Sequence, residues 1–404
     1  MSITCRELLG RTTLTKRMVD MFLDPKVKNW AVFDPELGYL LQDYVARDGT
    51  AHCYTINHYV PQAERRMIHY AGRPCRINTY GDSFTQCHQV SDGETWQEYL
   101  AAHLGEPVRN FGIGGYGVYQ AYRRMLREEQ TDKAAEYVIL NMWCDDHLRS
   151  IYPWRWIHCG AFREHLVDNT EPYMFHANPW VHLRFDPDTG RFRESENSHP
   201  TPESLYKLCD EDYVYETFKD CFDVQARLAA EEGADVNVPL LQGYADALGV
   251  AVDFSTPEST VRAGWELLRV CSLRSSMYVA DQANSYAAAH GKKLMIHLSY
   301  GDGDVQTACR GGERFDRMLV DYLQENGFLF VDTLEKHAEE FRRLECRCAP
   351  ETYTQLYYIG HYAPRGNHFY AFAVKDAVAK WLVPPPPAYR ESGPSLQELA
   401  ATLA

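Results

Sequence analysis

Short apolar segments alternate with amphipathic ones along much of the chain. Residues 76–81 and 137–143 have the pattern of strands, and Trp96, Leu100 and Leu104 lie on one stripe of a helix predicted over 94–104. The same reading predicts strands at 107–112, 293–300 and 328–332 and helices at 117–128, 257–290, 312–326, 333–343 and 367–382. This alternation indicates a mainly parallel sheet with helices on both faces, a three-layer α/β fold.

Three regions depart from this rhythm. Residues 1–75 form an N-terminal extension, with a helix predicted near 13–23 and short strands around 31–41 and 51–60. Residues 147–256 are rich in Trp, Tyr, Pro and His, and Asp-Pro-Asp-Thr-Gly marks a hairpin turn within them. We expect this insertion to form a cap. A proline run begins the tail at 384–404, so the α/β core comprises 76–146 and 257–383.

Composition and charge restrict the partners. The 404 residues are 45% hydrophobic, enough for a large core, and carry a formal net charge of -15. Such acidity disfavours nucleic acid and anionic membranes as partners. No segment approaches the roughly 20 apolar residues of a membrane helix, and the start lacks the apolar region of a signal peptide.

The twelve cysteines are scattered, with Cys346 and Cys348 as the one tight pair. Their spacing does not match a zinc site, so we expect reduced thiols and neither a metal nor another cofactor. These features predict a cytoplasmic protein. The oligomeric state stays open, since a homo-oligomer would arise if the proline-led tail docked on a neighbouring subunit.

The first candidate chemistry is Gly81-Asp82-Ser83-Phe84, directly after the strand at 76–81. A serine on a tight strand-to-helix turn exposes its hydroxyl group, and the helix that follows points backbone amides at it. In such sheets the site lies at the carboxyl ends of the strands. The residues just after 81, 111, 143 and 358 are therefore the ones expected to meet.

A glycine-rich turn, NFGIGGYGVYQ, occupies 110–120 after the next strand. Glycine lets a backbone amide approach a developing oxyanion. Gly112, Gly114 and Gly117 also satisfy the dinucleotide-binding spacing, but Ser83 already occupies the first strand-to-helix turn and no obvious acidic residue ends a following strand about 20 residues later. Close packing of helix on strand is the alternative without chemistry.

Two further segments complete the candidate site. LNMWCDDHLRS (140–150) follows the apolar strand at 137–143, and IGHYAPRGNHFYAFAV (359–374) precedes the last helix. His361 lies just before the Pro-Arg-Gly turn, which would return its imidazole over the end of the first strand. His368 is the rival base, although it falls one turn into the predicted helix.

Together these four segments resemble the SGNH/GDSL hydrolase family over 76–146 and 257–383. The Gly-Asp-Ser-Phe segment resembles the family's first block, Gly115 matches its oxyanion-hole glycine, and His361 matches the histidine of its last block. The resemblance implies a flavodoxin-like parallel sheet. It also implies that Ser83 attacks an ester carbonyl, that His361 takes the serine proton, and that the amides of Ser83 and Gly115 bind the oxyanion.

Two positions depart from the family pattern. Asp145 stands where the family has the oxyanion-hole asparagine, and a carboxylate donates a hydrogen bond only when protonated. Asn141 is the nearby alternative donor. The family's acid is also absent before His361, where Tyr358 and Ile359 stand. Asp146 and Asp332 are the candidates for that role, which a backbone carbonyl would also fill.

Substrate contacts are expected from Asp82, Trp143, His147 and Trp154. The aromatic residues of the insertion would either stack on a sugar ring or acyl chain, or form the insertion's own core; they are Tyr152, Trp154, Trp156 and Trp180. The leading expectation is an esterase or deacylase for a small or carbohydrate-like ester. The alternatives are a degenerate fold that binds an acylated or anionic metabolite, and an acyltransferase with the same nucleophile.

Overall fold

The N-terminal extension contains two helices and two antiparallel hairpins in the computed structural model, which describes residues 2–27, 30–61, 64–157, 178–344 and 348–390. The helices are α1 (Cys5–Gly10) and α2 (Lys16–Leu23). The hairpins join β1 (Ala31–Asp34) to β2 (Gly38–Leu41) and β3 (Tyr44–Ala46) to β4 (Thr55–Asn57). The helix predicted near 13–23 is thus confirmed, whereas α1 was not predicted.

The first part of the core follows the predicted alternation. The helix at Trp96–Leu104 begins after Thr95, whose side chain accepts a hydrogen bond from the Glu98 amide. It ends at Gly105, which adopts a left-handed φ of 75°. The elements in chain order are β5 (Ile77–Tyr80), α3 (Ser83–Gln86), α4 (Trp96–Leu104), β6 (Arg109–Asn110), α5 (Val118–Glu128), β7 (Tyr137–Trp143) and α6 (Asp146–Arg149).

In its described residues, 147–157 and 178–256, the insertion contains the predicted hairpin and three α-helices. The hairpin pairs β8 (His182–Asp186) with β9 (Arg191–Ser195) across the Asp-Pro-Asp-Thr-Gly turn. The helices are α7 (Glu211–Phe218), α8 (Phe222–Ala230) and α9 (Val238–Leu248). Because α1 contacts both α7 and α8, the N-terminal extension and the insertion are packed against each other.

The second part of the core begins with the 33-residue helix α10 (Pro257–Ala289). Its start is fixed by Thr256, whose side chain accepts from the Ser259 amide, and by proline at the first helical position. The remaining elements are β10 (Lys293–Ser299), α11 (Asp302–Cys309), α12 (Arg317–Glu325), β11 (Phe330–Asp332), α13 (Thr333–Arg343), α14 (Pro350–Thr354) and α15 (Pro364–Trp381).

The five core strands form one parallel sheet in the order β11-β10-β7-β5-β6. Alternate side chains face opposite layers of helices. His297 lies against Trp96 of α4 and Tyr370 of α15, whereas the Tyr80 hydroxyl donates to Glu129 at the end of α5. The predicted parallel α/β sheet with two helical layers is therefore confirmed.

Helix α10 belongs to two hydrophobic clusters. Toward its start, Leu267, Leu268 and Cys271 pack with residues of the insertion, including Phe222 and Leu241. Toward its end, residues of α10 join the main core with the sheet strands; they are Leu273, Val279, Ala280 and Ala283. One helix thus connects the packing of the insertion to that of the sheet.

One predicted strand is absent from the described segment 348–390, and one helix of the core was not predicted. A strand was expected to end near 358, but in the described segment 348–390 residues 350–354 form α14, and Tyr358 makes only an isolated bridge to Tyr362. The rings of Tyr357 and Tyr358 pack against His337 of α13. Helix α11 was missed because Val305 is its one buried residue, which leaves no apolar stripe.

No helix of the described ranges has both the length and the apolar character required to cross a bilayer. The cysteines in those ranges all carry free thiols. Cys346, half of the tight pair noted in the sequence, lies outside the described residues.

Candidate active site

Ser83 lies at the carboxyl end of β5 as the first residue of α3. Asp82 caps this short helix, its Oδ1 atom accepting from the Phe84 amide at 2.9 Å. Glycine is required before them, because a Cβ atom at Gly81 would lie 2.1 Å from Thr85 Oγ1. The strand-to-helix turn predicted from the sequence is therefore tight, and Ser83 is 8% exposed.

His361 reaches Ser83 from the turn before α15. The distance from His361 Nε2 to Ser83 Oγ is 2.8 Å, although 278 positions separate the two residues in the chain. This is the hydrogen-bond distance required between a serine nucleophile and its base. The rival histidine, His368, is exposed on α15 and packs its ring against Tyr99.

The other ring nitrogen of His361 is held by Gln89. Gln89 Oε1 accepts from both the backbone amide and Nδ1 of His361, each at 2.9 Å, and Gln89 Nε2 donates to the Asp48 carbonyl oxygen at 3.0 Å. A backbone donor at one end and a backbone acceptor at the other fix the orientation of the amide. Gln89 therefore occupies the position of the acid that the sequence lacked.

The loop that carries Gln89 is conformationally unusual. Cys87 and Gln89 have left-handed φ angles of 62° and 69°, which residues with side chains seldom adopt. Opposite them, Gly360 has φ 105°, and a Cβ atom there would lie 3.0 Å from Gln89 Oε1. Both backbones thus take conformations that bring the Gln89 oxygen against His361.

A second histidine stacks on His361. The His88 and His361 rings lie 4.9 Å apart and 15° from parallel, and His88 Nε2 is 3.1 Å from Asp48 Oδ2. Burial, followed by the nearby His88 and Arg149, holds the pKa of His361 well below its usual range. His361 is therefore neutral at pH 7 and able to accept the proton of Ser83.

Gly115 follows Gly114, which comes close to Ser83, in the glycine-rich turn after β6. Its φ is 90°, and the preceding amide, of Gly114, donates to Gln86 Oε1 at 2.8 Å. A Cβ atom at Gly114 would lie 3.5 Å from Ser83 Cβ. Within the described ranges the amides of Ser83 and Gly115 have no hydrogen-bond partner, which leaves both able to bind an oxyanion.

The two candidate side-chain donors are placed elsewhere. Asp145 Oδ2 accepts from Arg149 Nε at 3.0 Å and from Arg149 Nη2 at 2.7 Å, so its carboxylate is an ion-pair partner. Asn141 points into the interface of sheet and helices, where it donates to Ser299 and accepts from Tyr370. Asn141 is thus a core residue, since a side chain within the sheet does not reach its carboxyl edge.

The candidate acids do not meet His361, whose Nδ1 atom is bound by Gln89. Asp146 is buried and accepts from Arg149 Nη1 at 2.8 Å. Asp332 caps α13 by accepting from the Leu334 amide at 3.0 Å, and it pairs with Arg314. Both carboxylates therefore hold their own elements in place.

Of the predicted substrate contacts, two lie at Ser83 and two do not. Asp82 Oδ2 is 3.2 Å from Ser83 Oγ, and Trp143 stacks on Phe84 at 4.7 Å. His147 is buried with Nδ1 2.7 Å from Ser276 Oγ, and burial lowers its pKa to about 4. Trp154 is fully buried against Phe218, which supports the interpretation of the insertion's aromatic residues as core.

The sequence reasoning missed Gln89, His88 and Asp48. The sequence pattern pointed to carboxylates before His361 or after other strands as the group that orients His361. Gln89 instead lies six residues beyond Ser83. The one available signal was the polar pair His88-Gln89 directly after α3. Asp48 comes from the N-terminal extension, which no motif connected to the site.

No protein-family model matches the chain, and no curated protein matches it. No group of three metal-ligating side chains comes together in the described segments. The chemistry of the site must therefore be inferred from its own geometry.

Proposed function

We propose that this protein is a serine hydrolase of the SGNH/GDSL type that cleaves an ester-linked acyl group. Ser83 is the nucleophile and His361 the base. The observation that carries the proposal is the 2.8 Å contact between Ser83 Oγ and His361 Nε2, with Nδ1 of the same ring held by Gln89. Nucleophile, base and a group that orients the base are the three parts that such catalysis requires.

The strand order supports the family assignment. Numbered along the core, the order β11-β10-β7-β5-β6 corresponds to 5-4-3-1-2, which is the flavodoxin-like doubly wound order read from the other edge. Ser83 follows the first of these strands and Gly115 the second. Both lie at the carboxyl edge of the sheet, where ligands bind in folds of this class.

In the proposed reaction Ser83 Oγ attacks the ester carbonyl carbon while its proton passes to His361 Nε2. The amides of Ser83 and Gly115 bind the oxyanion. His361 then gives the proton to the leaving alcohol, and water hydrolyses the acyl-enzyme by the same steps. Gln89 keeps the hydrogen on Nδ1, so that Nε2 faces Ser83 as an acceptor.

One observation favours the alternative in which the site binds an acylated ligand without turnover. Asp145 stands at the position of the family's oxyanion-hole asparagine and is tied to Arg149. Loss of one oxyanion-hole donor costs about 3–4 kcal/mol in the transition state. The two backbone amides would then carry the whole stabilisation.

Labelling with a fluorophosphonate probe tests the proposal. Intact-mass spectrometry of the full chain should show one adduct on the wild type and none on Ser83→Ala or His361→Ala. His368→Ala, the same change at an exposed histidine of α15, should label like the wild type. Absence of an adduct on folded wild-type protein would favour the binding-only alternative.

A labelled serine would justify a screen for the substrate. A series of chromogenic esters with acyl chains of increasing length, together with acetylated sugars, covers the two classes expected from the sequence. Product analysis with an added alcohol then separates hydrolysis from acyl transfer, since only transfer yields a new ester.

A further inference from the structure

Ser83 Oγ has two close polar neighbours and one hydrogen to share. His361 Nε2 lies at 2.8 Å and Asp82 Oδ2 at 3.2 Å. A serine hydroxyl donates one hydrogen bond and accepts others. Two hydrogens are therefore needed for both contacts to be hydrogen bonds, and the location of the second hydrogen determines the charge at the site.

The Ser83 hydrogen goes to His361. Because Gln89 Oε1 also accepts from the backbone amide of His361, the ring atom that it contacts, Nδ1, must carry a hydrogen. Nε2 of the neutral ring is then an acceptor, and it takes the hydroxyl hydrogen. The contact between Asp82 Oδ2 and Ser83 Oγ lacks a hydrogen unless the carboxyl group supplies it.

An ionised Asp82 would be poorly stabilised in this position. Its side chain is fully buried, and the Phe84 amide donates to Oδ1 rather than Oδ2. The nearest cation, Arg149, has its Nη1 atom 4.0 Å from Oδ2 and donates from that atom to Asp146. A fully buried carboxylate whose nearest cation is shared with a second carboxylate carries a large desolvation cost.

We propose that Asp82 is a neutral carboxylic acid in the resting protein and that its Oδ2–H group donates a hydrogen bond to Ser83 Oγ. Burial raises the pKa of Asp82, whereas Arg149, the amides of Phe84 and Thr85 and the contact with Ser83 act in the opposite direction. The charged and titratable groups that face Asp82 are Tyr39 on β2, Cys87 after α3, Asp146 and Arg149 on α6, Tyr370 on α15, and His361.

The catalytic part of this inference rests on the proposed hydrolase function. During attack the Ser83 hydrogen passes to His361, and Asp82 keeps its own. In the acyl-enzyme the Asp82 O–H donates to the ester oxygen, Oγ. When water attacks and the Oγ–carbon bond breaks, His361 returns a proton to Oγ, and the Asp82 hydrogen bond stabilises the charge that develops there.

Infrared difference spectroscopy tests the protonation state without requiring activity. The spectrum of wild type minus Asp82→Asn at pH 7 should contain the carbonyl band of one neutral carboxylic acid. Loss of carboxylate bands instead would overturn the proposal. Asp223→Asn calibrates the measurement: burial raises the pKa of this residue of the insertion to about 7, so it too should show a neutral-acid band at lower pH.

Fluorophosphonate labelling tests the role at Ser83. In Asp82→Asn the amide N–H group replaces the donor, so Asp82→Ala should label about three- to tenfold more slowly than Asp82→Asn. Equal loss in both variants would overturn the role. If the neutral-acid band is present but the wild type does not label, the protonated Asp82 stands and the hydrolase proposal fails.

Discussion

At the scale of single residues, Gln89 determines which nitrogen of His361 faces Ser83. In the proposed hydrolase an amide replaces the usual carboxylate, and a rotated amide would present its NH₂ group and stabilise the wrong tautomer. Here the His361 backbone amide and the Asp48 carbonyl hold the oxygen toward Nδ1. The imidazole is oriented correctly, but without a negative charge behind it.

Substitution Gln89→Glu should restore that charge. A carboxylate against Nδ1 favours the imidazolium form, so we expect the acid limb of the labelling rate to move up by about one pH unit. Gln355→Glu, the same change at an exposed position before the His361 turn, is the control and should leave the limb in place. An unchanged limb in Gln89→Glu would mean that Gln89 does not act on His361.

The wild-type pH profile is itself a prediction. His361 must be neutral to take the proton of Ser83, and burial places its pKa well below the usual range. The labelling rate should therefore rise with pH through a midpoint clearly below the ordinary value of about 6.5 and be constant near neutrality. The measurement is the labelling rate of Ser83, followed by intact mass over this pH range. A midpoint at or above the ordinary histidine pKa contradicts the prediction.

The sequence identified the residues with motif positions and missed those without them. Ser83, Gly115 and His361 follow from strand ends and the family resemblance, and the structure brings them together. Gln89 could not be predicted from motif positions. Its role depends on left-handed backbone angles at Cys87 and Gln89, and neither residue type indicates such angles in a sequence. Asn141 was a wrong candidate for the oxyanion hole. Its position along β7 decides whether its side chain faces the core or the site, and a shift of one residue changes the outcome.

At the scale of elements, the glycine-rich turn is pressed against α3. A Cβ atom at Gly112 would lie 2.1 Å from the Gln86 amide nitrogen and 2.4 Å from the Thr85 carbonyl carbon. These are backbone atoms, which cannot turn aside. The turn that holds Gly115 and the helix that begins at Ser83 are therefore fixed relative to each other by the absence of a single side chain.

Substitution Gly112→Ala should separate the two elements. We expect the free energy of unfolding to fall by about 1–3 kcal/mol, as for other overpacked sites, and labelling of Ser83 to slow in the fraction that stays folded. Urea unfolding and intact-mass labelling measure the two effects. Gly93→Ala, where a Cβ atom meets nothing within 4 Å, is the matched control. Similar behaviour of both variants would contradict the argument.

Elements with a continuous apolar run or a strong apolar stripe were predicted to within a few residues, as β7 and α5 show. Elements set by tertiary contacts were not. A strand was expected to end near 358, but the rings of Tyr357 and Tyr358 pack around His337. Helix α11 buries only Val305, so it exists because of its contacts with α13 and α14 rather than because of its own pattern.

At the scale of the whole molecule, five buried histidines of the described ranges, besides His361, make the fold sensitive to acid. Burial lowers the pKa values of His147 and His199 to about 4, and those of His182, His297 and His337 to about 3. Below pH 6.5 these histidines bind protons in the unfolded chain but stay neutral in the folded chain. The free energy of unfolding therefore falls as the pH falls. Asp82, Asp146 and Asp223, whose pKa values are raised, oppose this in part.

A histidine variant isolates one contribution. Between pH 7 and 5 a fully buried neutral histidine accounts for a loss of about 2 kcal/mol in the free energy of unfolding. His297→Gln should therefore show a smaller loss than the wild type by about that amount, measured by urea unfolding at the two pH values. His368→Gln is the exposed control. An equal loss in wild type and His297→Gln would contradict the assignment.

Helix α10 has a consequence for how the molecule can be divided. Its 33 residues serve the insertion at one end and the sheet at the other. If the insertion were cut away, Leu267, Leu268 and Cys271 would face water on a helix that the sheet still needs. We therefore expect the two hydrophobic clusters to unfold together. Neither cluster could be transferred to another protein as a separate module unless the helix that they share were redesigned.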